Sequence, residues 1–433
     1  MNSLARLRRD ASSLAKLRRD AGSRGQAPLS SDSRQRNLRA LALRNFLYGL
    51  RMHMMRAMWQ PFVLSLGASM PLLGLLEAIG GFGGIVSTAM LPLGGWLSDL
   101  RGRKPLLILS SAFGFTGVLA LVLAGWAGDW RLLLPGVVLL GLIAIARPAA
   151  DSMIAESTSL DARGRAFSLV STAFAVAGVF APTLGGLLAQ RYGFVTTLAI
   201  ASTLELLTLA AVALALQETR GLASAEPLHA SDLIALARSV FVPPPRLRAF
   251  YIAVTVDMFA YGTGALLLPG LLTETYGFSP LQLGIMSSVT SLTWAVTQMF
   301  FGHQVDQRGC VPFLILSETL GVCVTAGWLV AQSFEAFLAL SVLYGLLPAT
   351  WVPAFLSWIA NSVPEDQRAQ EIGRLGAFRG LLSFAAPYVG GLLFEAVGYA
   401  GPILANMLGT ALVAVMFWLF VGEPRAPTEQ RTS

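Results

Sequence analysis

Residues 95–104 read GWLSDLRGRK, and residues 302–311 read GHQVDQRGCV. Each stretch follows a long apolar run, and the two lie 207 positions apart in a chain of 433. Both hold a glycine, an aspartate four residues on, and an Arg-Gly pair (Gly95, Asp99, Arg101, Gly102; Gly302, Asp306, Arg308, Gly309). The first copy continues into Arg103 and Lys104, where the second has Cys310 and Val311, and His303 has no counterpart in the first. A short charged hairpin between two apolar runs, repeated at the same place in each half of a chain, marks a duplicated helical membrane protein.

Hydrophobic residues make up 55% of the chain and charged residues 13%, with a mean hydropathy of +0.63. Soluble domains carry about 25% charged residues. Apolar stretches of bilayer-spanning length recur along the sequence. The pattern predicts twelve spans, at 43–66, 71–98, 105–125, 132–155, 165–189, 194–216, 249–272, 279–302, 311–331, 335–360, 373–396 and 399–421. The predicted organisation is a basic tail (1–42), six spans (43–216), a central loop (217–248), six more spans (249–421) and a short C-terminal tail (422–433).

The net charge of +7 is unevenly placed: residues 1–44 contain eleven Lys/Arg and three Asp, which leaves the remainder at −1. That placement does not indicate nucleic-acid binding. The tail carries a tandem decapeptide, SLARLRRDAS at 3–12 and SLAKLRRDAG at 13–22. It fits either a short amphipathic helix on anionic lipid or a disordered basic extension. The arginines and lysines of the remaining loops fall almost all on the tail's side, with Arg131 and Arg191 on the other. Both termini and the central loop are therefore expected in the cytoplasm, in a plasma-membrane protein. Cys310 and Cys323 lie thirteen residues apart on one predicted helix, about 20 Å at the helical rise, which excludes a disulfide between them. No nucleotide loop, metal-ligand spacing or nucleophile–base motif is present, so the reading is a non-enzyme without cofactor or metal.

The duplication extends beyond the hairpins. APTLGGLL at 181–188 matches APYVGGLL at 386–393, and Ile154-Ala155 with Arg163 matches Ile359-Ala360 with Arg368, all at a spacing of 205. With the paired hairpins between spans 2 and 3 and between spans 8 and 9, the chain resembles the major facilitator superfamily of transporters over about residues 43–421. The resemblance implies an all-α polytopic fold of twelve transmembrane helices in two six-helix, pseudo-symmetric bundles, with substrate held between them near mid-membrane. It further implies that spans 1, 4, 7 and 10 line the cavity, that the hairpins gate it, and that Arg103 pairs with Glu156 at the end of span 4. The stretch GVFAPTLGG in span 5 resembles the motif of the drug:proton antiporter branch, with Gly178, Pro182, Gly185 and Gly186 echoed by Pro387, Gly390 and Gly391 in span 11. Small residues at this spacing permit close helix approach, and general packing explains the same pattern. Three departures from that branch stand out. Ala181 precedes the proline, Val137 takes the place of an arginine in span 4, and span 1 carries Arg51, His53 and Arg56 in place of an acid.

Ionisable residues within spans are costly, so they are site candidates. Arg51, Arg147 and Asp257 each lie about 12 Å from the same end of their spans at the helical rise, so Asp257 is expected to bind substrate or proton against Arg51, Arg56 or Arg147. Asp151 follows Arg147 by one turn and shares its face. A static set of salt bridges is the competing reading. Glu77 is a further candidate, Glu205 and Glu318 fall on peripheral spans as snorkelling, packing or interhelical residues, and Arg379 is close enough to the surface to snorkel. Trp351 and Trp358, on one face of span 10, fit an aromatic cavity wall. The expected function is secondary transport by alternating access, coupled to protons or another ion. Efflux of small amphipathic compounds is favoured, by a carrier that works as a monomer in the bilayer. The alternatives are a carrier of organic or phosphorylated anions and a non-transporting membrane sensor or assembly factor.

Overall fold

The computed structural model describes residues 30–81, 84–159, 162–219, 242–364 and 367–424. The decapeptide repeat, the amphipathic stretch near 231–241, and Arg220, Arg238, Arg425 and Arg431 lie outside the described residues. Ten helical segments among those described are long and apolar enough to cross a membrane. Two further helices, Ser31–Ser65 and Pro280–Arg308, complete twelve spans. Arginines within the first and polar side chains along the second lower their hydropathy, but both lie within the same layer of packed helices.

Span 1 (Ser31–Ser65) starts well before residue 43, so residues 31–42 are helix and not tail. Ser30 caps it, its hydroxyl accepting from the Ser33 amide at 3.2 Å. The extra turns are tied to the end of span 6: Asn37 Nδ2 donates to the Gln217 carbonyl at 3.1 Å, the Gln217 amide donates to Asn37 Oδ1 at 2.8 Å, and Arg36 donates to the Leu214 carbonyl at 2.9 Å. Four spans are broken. Span 2 comprises Met70–Gly80 and Ile85–Arg101. Span 4 passes from Leu133–Leu142 through a 3-10 turn, Ile143–Ala146, into Arg147–Glu156. Span 7 breaks between Arg248–Thr263 and Leu268–Tyr276, and span 11 between Arg368–Ser383 and Ala386–Val397. Prolines at 148, 269 and 387 each stand at the start of the second segment, where their missing N–H is least costly. The others are continuous: span 3 Arg103–Ala127, span 5 Arg163–Tyr192, span 6 Phe194–Ala215, span 8 Pro280–Arg308, span 9 Val311–Val330, span 10 Phe334–Ser362 and span 12 Ala400–Phe420.

Packing repeats with the duplication. Span 1 lies on spans 5 and 6, and span 3 on span 6; in the second bundle span 7 lies on spans 11 and 12, and span 9 on span 12. The bundles meet where span 5 runs along span 8 and span 2 along span 11. The paired glycines of the repeated motif explain how one helix serves two neighbours. A Cβ on Gly185 would come 2.6 Å from the Met54 carbonyl oxygen of span 1, while one on Gly186 would overlap the Pro280 carbonyl of span 8. In the second bundle Gly390 faces the Thr263 carbonyl of span 7, and Gly391 the Met70 carbonyl of span 2 at 2.5 Å. The prolines answer from the other side: the Pro182 carbonyl sits against Gly284, and the Pro387 carbonyl against Gly74. Thr183 Oγ1 donates to Ser288 Oγ at 2.8 Å across the same seam.

All these contacts lie toward the end of the molecule remote from the hairpins. The buried apolar core has the same distribution. At the far end one cluster joins both bundles, with Phe62, Leu73 and Leu121 packed in continuity with Leu271, Trp328 and Phe337. At the hairpin end there are two separate clusters, one in each bundle. The buried apolar core is thus continuous between the bundles at the far end and separate in each bundle toward the hairpins.

Inside the first bundle, Arg51 of span 1 donates through Nε to Glu205 of span 6 at 2.5 Å, both side chains nearly fully buried. The guanidinium lies 4.9 Å from the centre of the Tyr48 ring. Two predictions follow from this packing. Gly186→Val should force the far end apart, so that a Thr183→Cys/Ser288→Cys pair cross-links far less efficiently, while Gly164→Val, with open space around it, should leave the yield unchanged. Glu205→Ala should leave Arg51 buried without its counter-charge and lower stability by about 3–5 kcal/mol, read as reduced thermal stability in detergent.

Candidate functional site

The two hairpins adopt the same turn. Gly102 and Gly309 have φ of +91° and +92°, a region that side-chain-bearing residues avoid. Each turn leads into a helix whose first amides lack intrahelical partners, and each is closed by a glutamate from the end of its own bundle. Glu218 accepts from the Arg103 and Lys104 amides at 2.9 Å each. Glu423 accepts from the Cys310 and Val311 amides at 3.1 and 2.8 Å. A carboxylate at a helix N-terminus also complements the macrodipole. Both glutamates were missed as site residues, although the sequence held their signal: QETR at 217–220 and GEPR at 422–425 repeat at the same spacing of 205.

In the first hairpin Arg103 is a hub. Nη1 donates to Asp99 Oδ1 and to the carbonyl and hydroxyl of Ser98, each at 2.8 Å, and Nη2 donates to Glu156 Oε1 at 2.9 Å. Thr219 Oγ1 donates to Glu156 Oε2 at 2.5 Å. The second hairpin has Cys310 in place of Arg103, and Asn361 at the repeat position of Glu156. Burial, and then the nearby Glu423 and Asp306 carboxylates, push the Cys310 thiol up to about 11, so this position is neutral at physiological pH. Arg101, Asp306 and Arg308 are exposed, and Lys104 is partly buried. The close-packed glycine of the first hairpin is Gly94, pressed on the Ile145 carbonyl; Gly95 only grazes Pro148 at 4.0 Å, and Gly302 has open space.

The charges of the spans sort differently from their depths. Arg51 pairs with Glu205 and does not meet Asp257; equal depth places two residues in one layer but not on facing helix surfaces. His53 packs on Phe174 with ring centres 4.7 Å apart and lies against Gly178, so it faces span 5. Arg56 does reach between bundles, donating to the Tyr261 hydroxyl of span 7 at 3.4 Å. Arg147 and Asp151 are exposed one turn apart on span 4, within electrostatic reach of each other.

Asp257 of span 7 has Arg379 of span 11 as its electrostatic partner and buried Glu318 of span 9 as an acidic neighbour. Arg379 does not snorkel to the surface. Its guanidinium lies 5.4 and 5.8 Å from the rings of Phe355 and Trp351, which stack on each other at 4.4 Å and 11°. It is also within electrostatic reach of Arg147 on the opposite bundle. Trp358 leaves the wall that the sequence pattern gave it: it stacks on Phe250 at 3.8 Å and donates to the Gly422 carbonyl at 3.0 Å, inside the second bundle. The result is a charged layer with cations on spans 1, 4 and 11, carboxylates on spans 4 and 7, and an aromatic shelf on span 10. Such a layer can hold an aromatic or charged small molecule, and its acids can exchange protons.

The family model described as Major Facilitator Superfamily matches residues 41–269 and 249–433. The chain is 24% identical over 348 residues to the multidrug resistance protein MdtG of Serratia proteamaculans (strain 568), covering 78% of this chain and 82% of that protein. It is 26% identical over 341 residues to the class C tetracycline resistance protein of Escherichia coli, covering 75% and 81%. Among solved structures, the human organic anion transporter MFSD10 (TETRAN) superposes with a TM-score of 0.62 at 20% identity, over 90% of this chain and all of that one. With the family model matched along nearly its whole spanning region, and with twelve helices in two six-helix bundles, this chain belongs to the Major Facilitator Superfamily.

Proposed function

We propose that this multi-pass membrane transporter is a proton-coupled efflux carrier of small amphipathic compounds. The observation that carries the reading is the charged layer of the second bundle, where Asp257 lies within electrostatic reach of Arg379, whose guanidinium stands beside the stacked Trp351 and Phe355 rings. The aromatic shelf suits the apolar part of a substrate, and the Asp257–Arg379 pair offers a carboxylate that can exchange a proton for a bound molecule. Relatives named for multidrug and tetracycline resistance support export. The carrier works as a monomer of the plasma membrane, with both termini, the hairpins and the central segment on the cytoplasmic side, in keeping with the excess of Lys/Arg there.

Transport proceeds by rocking of one bundle against the other. With the far end sealed and the hairpin end divided, the layer is approached from the hairpin side, where substrate enters. Opening of the far end requires the glycine–carbonyl seam between spans 5 and 8 and between spans 2 and 11 to part. The Arg103 hub, with Asp99 and Glu156, is the gate element at the other end, and its neutral counterpart at Cys310 makes the pair of gates unequal.

A second reading, carriage of organic anions, is favoured by the cations Arg56, Arg147 and Arg379. Flux assays in proteoliposomes with an imposed proton gradient separate the two, using a cationic dye against an aromatic carboxylate. Asp257→Asn should cut gradient-driven dye flux about tenfold or more, equivalent to about 1.4 kcal/mol on the limiting barrier, while substrate-for-substrate exchange persists. Retention of full gradient-driven flux by this variant would refute the role of Asp257. Arg56→Gln should leave dye flux within about twofold of wild type but reduce carboxylate flux if anions are the cargo.

A further inference from the structure

At the far end, the first bundle supplies a side chain to complete a broken helix in the second. Span 7 stops at Thr263, turns through Ala265–Leu267 and resumes at Leu268, with Pro269 next. In an unbroken helix the Gly270 amide would donate to the Leu266 carbonyl, four residues back. Here the amide of Gln60, from span 1, stands between them. The Gly270 N–H donates to Gln60 Oε1 at 2.8 Å, and Gln60 Nε2 donates to the Leu266 carbonyl at 2.7 Å. Gln60 is 3% exposed, and Gly270 has no side chain to keep it out. A backbone N–H can only donate, so the orientation of the amide is fixed. Its second N–H goes to Glu77 Oε1 of span 2 at 3.0 Å.

Glu77 is 7% exposed. Because Gln60 Nε2 can only donate, Glu77 Oε1 must accept whether the carboxyl is charged or neutral. A proton on Glu77 therefore belongs on Oε2, which lies against Gly81. Glu77 also borders a cavity of about 10 Å³, room for about one water, walled by Met258, Gly262 and Leu266 of span 7 and by Ser383 and Pro387 of span 11. The charged group that acts on Glu77 is Arg56 of span 1, and Trp59 of the same span is its other polar neighbour. The residues of spans 7 and 11 that wall the cavity are not titratable; Tyr261, between Met258 and Gly262 on span 7, accepts from Arg56 at 3.4 Å, and the facing segment of span 4, Leu133–Leu142, contains no titratable residue.

We infer that Glu77 is a proton-binding site of the far-end seal, read out through Gln60: the neutral carboxyl fits the closed seam, and loss of its proton favours opening. With the seam shut, a carboxylate charge would be buried, with the Gln60 amide and Trp59 as its polar neighbours, Arg56 as the charge that acts on it, and room for a single water. With the seam parted, bulk water reaches it. A state that accommodates the neutral form better binds more protons, so rising pH shifts the balance toward the other state. The inference rests on the alternating-access reading but not on Asp257, which lies deeper in the cavity layer.

The test measures the far-end separation of the bundles in full-length protein in nanodiscs. Spin labels are placed at the exposed positions Tyr192 and Val397, on the far ends of spans 5 and 11, with Cys310 and Cys323 replaced by Ala. Raising pH from about 5.5 to about 8.5 should increase the long-distance population severalfold in this background. Glu77→Gln keeps an acceptor for Gln60 and should hold the short distance across the range. Gln60→Leu, which cannot bridge Leu266 and Gly270, should give the long distance at every pH. Asp257→Asn should keep the pH response of the seal while losing gradient-driven flux, so failure of the central proton site and failure of this one give different results. An unresponsive or reversed pH profile in the parent, or a parental profile in Glu77→Gln, overturns the inference.

Discussion

A single helix in each bundle must touch two others closely at the same level, and that demand organises the structure. Span 5 presses on span 1 through Gly185 and on span 8 through Gly186; span 11 presses on span 7 through Gly390 and on span 2 through Gly391. Apolar burial between helices gains little in lipid, so close backbone approach and dispersion carry the association. Adjacent glycines point about 100° apart on a helix, and that is the angle between an intrabundle neighbour and one across the seam. The same four residues thereby hold each bundle together and define the surface on which the bundles move. Moving the seam leaves the intrabundle contacts intact, because they lie on a different face.

Much of this was legible in the sequence. Twelve apolar stretches, the hairpins 207 positions apart and the GG repeat at 205 fixed the architecture, because hydrophobic length and duplication are linear signals. Span 1 shows where such signals fail. Its helix runs back to Ser31 because Asn37 and Arg36 find partners at the end of span 6, and no local composition announces a distant partner. The broken spans were equally opaque: Pro148, Pro269 and Pro387 stand just past three of the breaks, but the partner that completes a break can come from elsewhere, as Gln60 does for span 7.

The charged layer was only half legible. Depth along a helix can be counted from sequence, and it put Arg51, Arg147 and Asp257 in one layer. Azimuth cannot be counted until the bundle is assembled. Arg51 turned inward to Glu205, one of the interhelical contacts that the peripheral position of span 6 allowed, and Arg379, read as snorkelling to the surface, came within electrostatic reach of Asp257. Glu218 and Glu423 were different: their repeat was plain, but they fell in segments read as loop and tail, where a capping role has no periodic signature.

The glutamate caps carry a consequence for how the chain is held together. Each draws the strand leaving its bundle back onto the turn that opens the bundle's third helix, so each six-helix unit has its exit strand fastened to its own body. The polypeptide that joins the units starts from a fixed post at Glu218, and on the far side of residues 220–241 the Val242 carbonyl is held by Arg374. Both posts stand on span ends, the first at the start of span 3 and the second on span 11. Each flank of the covalent join is thus fastened to its own bundle, and severing the join would leave both fastenings in place.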